Sequence, residues 1–205
     1  MALPCVRHTR RSRRPSLLVD VTPSRARRPG LTQKTLSGLT VMDSLIVAVA
    51  QYLLFVILLA AAVIWLFLPR PDKVGLAVQA IVSLVIVVVL IKLAAAVHAD
   101  PRPFVVDPSI KPLFTHPVDN GFPSDHTALA ATVALLVMMY RRSIGPALLA
   151  ASILVGAARM AAHVHHGQDI VAGMVIAVVA VAIASATWRW VRPRLPRRLT
   201  GSPLV

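Results

Sequence analysis

Residues 74–99 read VGLAVQAIVSLVIVVVLIKLAAAVHA, an apolar run broken only by Gln79, Ser83, Lys92 and His98. A bilayer hydrocarbon core of ~30 Å takes roughly 20 apolar residues in a helix. Backbone N–H and C=O groups in lipid must satisfy one another within the segment, so the spanning form is helical. Working outward, four more apolar runs cover residues Ser44–Leu68, Asp125–Tyr140, Ile144–Ala162 and Ile170–Trp190. The reading is all-α, a polytopic membrane helix bundle of about five transmembrane helices with its polar loops on one face. The run Asp125–Tyr140 is the short one and stops at Arg141-Arg142.

The breaks between runs have local causes. Pro69 and Pro71 predict a turn over 69–73, because proline removes a donor and clashes with the preceding turn. Pro146 falls in the first turn of its run, where proline is tolerated. Trp188 and Trp190 close the last run as interfacial aromatics. The chain of 205 residues is 57% hydrophobic with mean hydropathy +0.73, which excludes an ordinary soluble domain. A net charge of +14 raises nucleic acid as a partner. The charges, however, sit in tails and short loops, as membrane flanks do, so no nucleic acid is expected. Cys5 stands alone, so no internal disulfide can form.

Residues 1–41 are rich in Arg, Pro, Ser and Thr and have no apolar period. They read as a disordered basic tail, a transit-like leader, or the product of a start assigned upstream of Met42. The domain then covers 42–190, and 191–205 is a second basic tail. With five spans, the 69–73 turn, Arg141-Arg142 and the C-terminal tail share one side and hold nine Lys/Arg. The 100–124 and 163–169 loops on the other side hold two, and eleven if the N-terminal tail is counted. Setting that tail aside, the positive-inside rule places the C-terminus in the cytoplasm and these two loops outside.

Three polar clusters fall on that outer side. They are Asp100-Pro101-Arg102-Pro103-Phe104 with Lys92 upstream, Pro123-Ser124-Asp125-His126, and Arg159 through His163, His165 and His166 to Asp169. Ionisable groups at membrane depth are costly and default to functional hypotheses. Lys92, Arg102 and Arg159 supply fixed positive charge, and the guanidinium fork suits phosphate oxygens. Ser124 stands at a helix N-cap, with an anion site in the N–H groups behind it. His165 and Asp169 share a face on helical spacing. A carboxylate on one imidazole nitrogen fixes the tautomer and frees the other for attack. His126 is placed to protonate a leaving oxygen. Clamp, oriented nucleophile and acid together point to phosphoryl transfer without a metal or other cofactor. The competing reading is a metal cluster at His163, His165 and His166, which the absence of Glu and the remoteness of Cys5 disfavour. His98, His116 and His163 read as loop or interface histidines, and Asp107, Lys111 and Asp119 as solvated loop charges.

The same clusters resemble the signature of the type-2 phosphatidic acid phosphatase superfamily, which includes the vanadium haloperoxidases. That signature runs Lys-x6-Arg-Pro, Pro-Ser-Gly-His, and Ser-Arg-x5-His-x3-Asp. Arg102-Pro103, Pro123-Ser124-Asp125-His126 and Arg159-x5-His165-x3-Asp169 follow it here, over about residues 42–190. The resemblance implies a phosphohistidine at His165, orientation by Asp169, proton transfer by His126, and phosphate binding by Arg102, Arg159 and Ser124. Its third motif selects His165 over His163 and His166. Three positions depart from the pattern. Asp125 replaces Gly, with its side chain expected to point away and its N–H to remain available, and Ala158 replaces Ser. Lys92 lies nine residues before Arg102 rather than six. Three residues are a near-full helical turn, ~300° and ~4.5 Å, so Lys92 is retained as a phosphate ligand from one turn deeper.

The stretch from Pro101 to His126 resembles the bacterial undecaprenyl-diphosphatase branch. It implies a lipid diphosphate substrate, membrane lipids as surroundings, and a bacterial plasma membrane with the site on the extracytoplasmic face. Alternatives are a phosphatase for phosphatidic acid, phosphatidylglycerophosphate or another prenyl phosphate, and a non-catalytic membrane paralogue. The haloperoxidase activity belongs to soluble proteins and fits this apolar chain poorly. The oligomeric state is left open.

Overall fold

The computed structural model describes residues 40–196. The basic N-terminal segment, apart from Thr40 and Val41, lies outside the described residues, as does the tail from 197 on.

Helix α1 is Val41–Leu66. Thr40 caps it: the Asp43 N–H donates to Thr40 Oγ1 at 3.1 Å, and the Thr40 N–H donates back to Asp43 Oδ2 at 2.9 Å. This reciprocal box satisfies two orphan donors and starts the helix one residue ahead of Met42. Helix α2 is Arg70–Val97. The expected 69–73 turn is shorter than its prolines suggest. Pro71 falls in the first helical turn, where its missing N–H costs nothing. Trp65 Nε1 donates to the Lys73 carbonyl at 3.0 Å and closes the corner.

A four-residue helix, α3 (Pro103–Val106), interrupts the 100–124 loop. Helices α4 (Asp125–Tyr140), α5 (Gly145–Ala161) and α6 (Gly167–Val191) complete the bundle, and a 3-10 turn at Arg192–Arg194 follows. Among the described residues α1, α2 and α6 are long and apolar enough to cross a membrane. Helices α4 and α5, of 16 and 17 residues, are apolar but shorter than a usual span. The architecture is a helical membrane bundle.

Helix α4 is its centre, packed against α1, α2, α5 and α6. Its inward residues are small: Ala128, Ala130, Ala131 and Ala134 are all fully buried. Small side chains let helix backbones approach closely, which supplies dispersion contact where no hydrophobic gain separates protein from lipid. One close approach is at Gly173 of α6, where a Cβ would lie 2.8 Å from the Ser124 carbonyl oxygen. The outer faces of α1 and α2 expose Phe55, Leu59, Val85, Val88 and Leu93, side chains suited to lipid. At the bundle end away from the polar loops, Ser185 Oγ donates to Gln79 Oε1 at 3.1 Å, and Gln79 Nε2 also contacts the Tyr140 hydroxyl. Of the two expected interfacial tryptophans, Trp190 is exposed beside Arg194, whereas Trp188 is buried. It turns inward because Gly75 of α2 leaves room against its indole.

Candidate active site

The 100–124 loop and the α5–α6 connection meet over the start of α4. Asn120 staples the loop to the end of α2. Its Oδ1 accepts from the Asp100 and Phe122 N–H groups at 2.9 and 3.0 Å, and its Nδ2 donates to the Ala95 and His98 carbonyls at 3.2 and 3.0 Å. Gly121 follows it, packed so tightly that a Cβ would sit 3.3 Å from both Arg102 Cγ and Asp169 Oδ2. On the far side, the Ser124 N–H donates to the Asp169 carbonyl at 3.0 Å and joins the α4 start to the α6 start. Three sequence-distant segments are thereby held in one register.

The cavity they enclose is about 340 Å³ and is lined by Lys92, Arg102, His116, Asp119, Asp125, His126, Arg159 and His165, among others. His165 is its most constrained group. Its Nδ1 lies 3.1 Å from Asp169 Oδ2 and its Nε2 lies 3.3 Å from Arg102 Nη1. A guanidinium only donates, so Nε2 accepts and Nδ1 carries the proton, donated to the carboxylate. Asp169 is fully buried; its Oδ2 also accepts the His166 N–H at 2.8 Å, while Oδ1 has no hydrogen-bond partner among the described residues. The expected helical stacking of His165 on Asp169 is not how they meet. Helix α6 begins at Gly167, so His165 precedes it, and Asp169 reaches back from the third helical position toward the N-cap. Burial pushes the His165 pKa below its usual value, with Arg159 and Arg102 adding to the effect, against the opposing hydrogen bond from Asp169. The imidazole is therefore held neutral, as a nucleophile requires.

Both arginines are buried, at 5% and 3% exposure for Arg102 and Arg159. Arg102 Nε donates to Asp119 Oδ1 at 2.7 Å, and Nη1 donates to the Val164 carbonyl at 2.7 Å. Arg159 Nη1 donates to the Ala50 carbonyl of α1 at 3.3 Å and Nη2 to His116 Nε2 at 3.0 Å, while Nε has no partner among the described residues. Lys92 is an exposed residue at the cavity edge. Asp125 is exposed and stands among the residues that line the cavity. Ser124 is the N-cap of α4 as its position suggests, but it is fully buried with Oγ 3.1 Å from Thr127 Oγ1, and it is absent from the lining.

Residues that read as bystanders in the sequence come into the site. Asp119, exposed as expected of a loop charge, is also the ion-pair partner of Arg102, and His116 contacts Arg159. Behind Asp169, Asp100 Oδ2 lies 3.0 Å from His166 Nδ1 and accepts from Gln168 Nε2 at 2.5 Å. Asp100, His166 and Asp169 bring three donor atoms within 4.8 Å of one another, the described cluster with spacing for a metal. The Oδ2 atoms of both carboxylates are already engaged by imidazole, amide or backbone N–H groups there. His163 is outside: it adopts φ 59° and its Nδ1 lies 3.4 Å from the Lys111 carbonyl. His98 packs edge-on against Phe122.

Several known proteins share this chain's pattern. It is 26% identical over 156 residues to the bacitracin transport permease protein BcrC of Bacillus licheniformis, covering 76% of this chain and 74% of that one. It is 29% identical over 153 residues to the undecaprenyl-diphosphatase BcrC of Bacillus subtilis, covering 71% and 77% respectively. The crystal structure of Aquifex aeolicus LpxE superposes with a TM-score of 0.57 at 23% identity, covering 73% of this chain and 88% of that one, a likeness of fold. The PAP2 superfamily model matches residues 74–194, more than half of the chain and all three polar clusters, and the chain accordingly belongs to the PAP2 superfamily.

Proposed function

We propose that the protein is a membrane lipid phosphatase that hydrolyses a polyprenyl diphosphate of the undecaprenyl type to the monophosphate. The observation that carries this reading is the line Asp169–His165–Arg102, a carboxylate on Nδ1 and a guanidinium at Nε2 of one buried imidazole. Nε2 attacks the terminal phosphorus as Arg102 transfers its donor to a phosphoryl oxygen. The bridging P–O bond breaks, and His126, protonated once the anionic diphosphate fills the cavity, gives that proton to the departing lipid monophosphate. Arg102 and Arg159 oppose the charge on the equatorial oxygens, the usual electrostatic requirement of phosphoryl transfer. Asp169 stabilises the imidazolium character that develops on His165. Water then attacks the phosphohistidine, His126 takes its proton, and inorganic phosphate departs. The residues supply every charge and proton in this cycle without a metal.

The substrate class draws on the Bacillus subtilis relative, whose name states undecaprenyl-diphosphatase activity. Lys92 at the cavity edge, as a cation, would bind the second phosphate. We take the site to face the extracytoplasmic side of a bacterial plasma membrane, a reading that the loop charges support once the N-terminal tail is set aside. Purified protein is expected to release phosphate from undecaprenyl diphosphate in EDTA, ahead of phosphatidic acid and phosphatidylglycerophosphate in kcat/KM. Loss of activity in EDTA, or a reversed ranking, would contradict the proposal.

A further inference from the structure

His116 lies in the long loop, outside all three polar motifs, yet it enters the cavity beside the nucleophile. Its ring lies edge-on to that of His165, with centroids 6.2 Å apart. Its Nε2 is 3.0 Å from Arg159 Nη2, and its Nδ1 is 3.4 Å from the Pro117 carbonyl. Both contacts select one tautomer. Arginine can only donate and a carbonyl can only accept, so Nε2 presents its lone pair to Arg159 and Nδ1 keeps the proton.

Arg159 needs such a partner. It reaches the site from the last turn of α5, with Nη1 tethered to the Ala50 carbonyl and Nε buried without a partner among the described residues. One tether at 3.3 Å leaves the guanidinium plane free to rotate about its terminal torsions. A second acceptor on Nη2, supplied from a different segment, fixes that plane and with it the direction of the remaining N–H groups. We propose that His116 is the positioning residue for Arg159, holding its guanidinium in the orientation that receives a phosphoryl oxygen.

The loop is anchored well enough to do this. The Leu113 N–H donates to the Ala162 carbonyl at 3.2 Å, Phe114 packs on the cluster around Ala158 and Val164, and Asp119 is tied to Arg102. Burial, with Arg102, Arg159 and His165 nearby, keeps the His116 pKa below its usual value despite the Pro117 carbonyl. The acceptor therefore persists at neutral pH. His116 acts through Arg159 and takes no proton from the reacting atoms, so its effect belongs in phosphate affinity and KM rather than in kcat.

This inference rests on the phosphatase reading, and the test separates the two. Inorganic phosphate binding to the full-length detergent-purified protein is measured by calorimetry, alongside kcat and KM on undecaprenyl diphosphate. His116→Ala is expected to weaken phosphate about tenfold, the loss of one hydrogen bond made by a charged group. KM rises in parallel, and kcat stays within about threefold. His116→Gln, whose amide oxygen can accept from Nη2, is expected to recover most of that affinity. Unchanged phosphate binding in His116→Ala, or a glutamine variant as weak as the alanine one, overturns the assignment. A fall in kcat at constant KM also overturns it, because His116 would then be a proton-transfer group. A His165→Ala variant that still turned over would refute the nucleophile, while the calorimetric comparison at position 116 would still decide its own question.

Discussion

Replacing Asp169 by Asn keeps the shape of a fully buried side chain and removes its charge. Two hydrogen bonds end on Oδ2, from His165 Nδ1 and from the His166 N–H. An amide oxygen in that place still accepts both through its two lone pairs, but without the carboxylate charge that balances a developing imidazolium. In the other orientation the amide N–H₂ faces both donors, and the imidazole proton must move to Nε2. In the second case the attacking nitrogen no longer has a lone pair. Wrong-tautomer substitutions of a buried carboxylate behind a catalytic histidine cost roughly 10⁴ in kcat in the serine-protease case. A fall of about 10³–10⁴, or ~4–5.5 kcal/mol in the barrier, is expected here. Neither arginine contacts the Asp169 side chain, so phosphate affinity should move little. The pH profile carries an independent sign. Hydrogen bonding to Asp169 raises the His165 pKa against the larger effect of burial, so its loss lowers that pKa further. The acid limb of kcat/KM should shift to lower pH even as its plateau collapses. Phosphate release from undecaprenyl diphosphate between pH 4 and 9 reads both effects. A variant within tenfold of wild type in kcat would refute the claim that the Asp169 carboxylate prepares His165 for attack.

Four further outcomes follow. In the unmutated protein the acid limb of kcat/KM lies below the ordinary imidazole value of 6.5, because His165 is held neutral by burial; a limb above 6.5 would contradict this. Gly173→Ala pushes a Cβ to 2.8 Å from the Ser124 carbonyl oxygen. It should destabilise the α4–α6 contact by about 1–3 kcal/mol, read as a lowered Tm in detergent. Gly121→Ala meets the Asp100 carbonyl oxygen at 3.1 Å, and Arg102 and Asp169 at 3.3 Å. Small displacements there should cost about tenfold in kcat/KM with little change in Tm. Lys92→Ala leaves the enclosed contacts intact and should raise KM by about threefold to tenfold, with kcat nearly unchanged.

Much of the bundle was legible because apolar run length is set by the bilayer. The short helices α4 and α5 were also marked, by Arg141-Arg142 and Pro146 between them. What the runs could not show is that α4 is the hub, since that depends on which face of each helix is paved with alanine. The clusters named the groups that the fold assembles, because lone charges in an apolar chain stand out. They did not reveal how His165 meets Asp169: spacing suggested helical stacking, and a helix start with back-capping delivers the same pair. They missed His116 and Asp119 for a different reason. A histidine and an aspartate in a polar loop look like any solvated pair, and only the fold of 107–120 across the cavity brings them onto Arg159 and Arg102. Ser124 illustrates the reverse case. Its cap position was readable, but its burial beside Thr127 was not.

The central claim is that His165 carries the phosphoryl group. The most direct measurement is intact-protein and peptide mass spectrometry of enzyme mixed with undecaprenyl diphosphate, quenched within milliseconds and kept alkaline to preserve a phosphoramidate. His126→Ala, which lacks the group that activates water, should accumulate one phosphate on the peptide containing His165, and His165→Ala should accumulate none. Phosphate on another residue, or rapid turnover by His165→Ala, would contradict it.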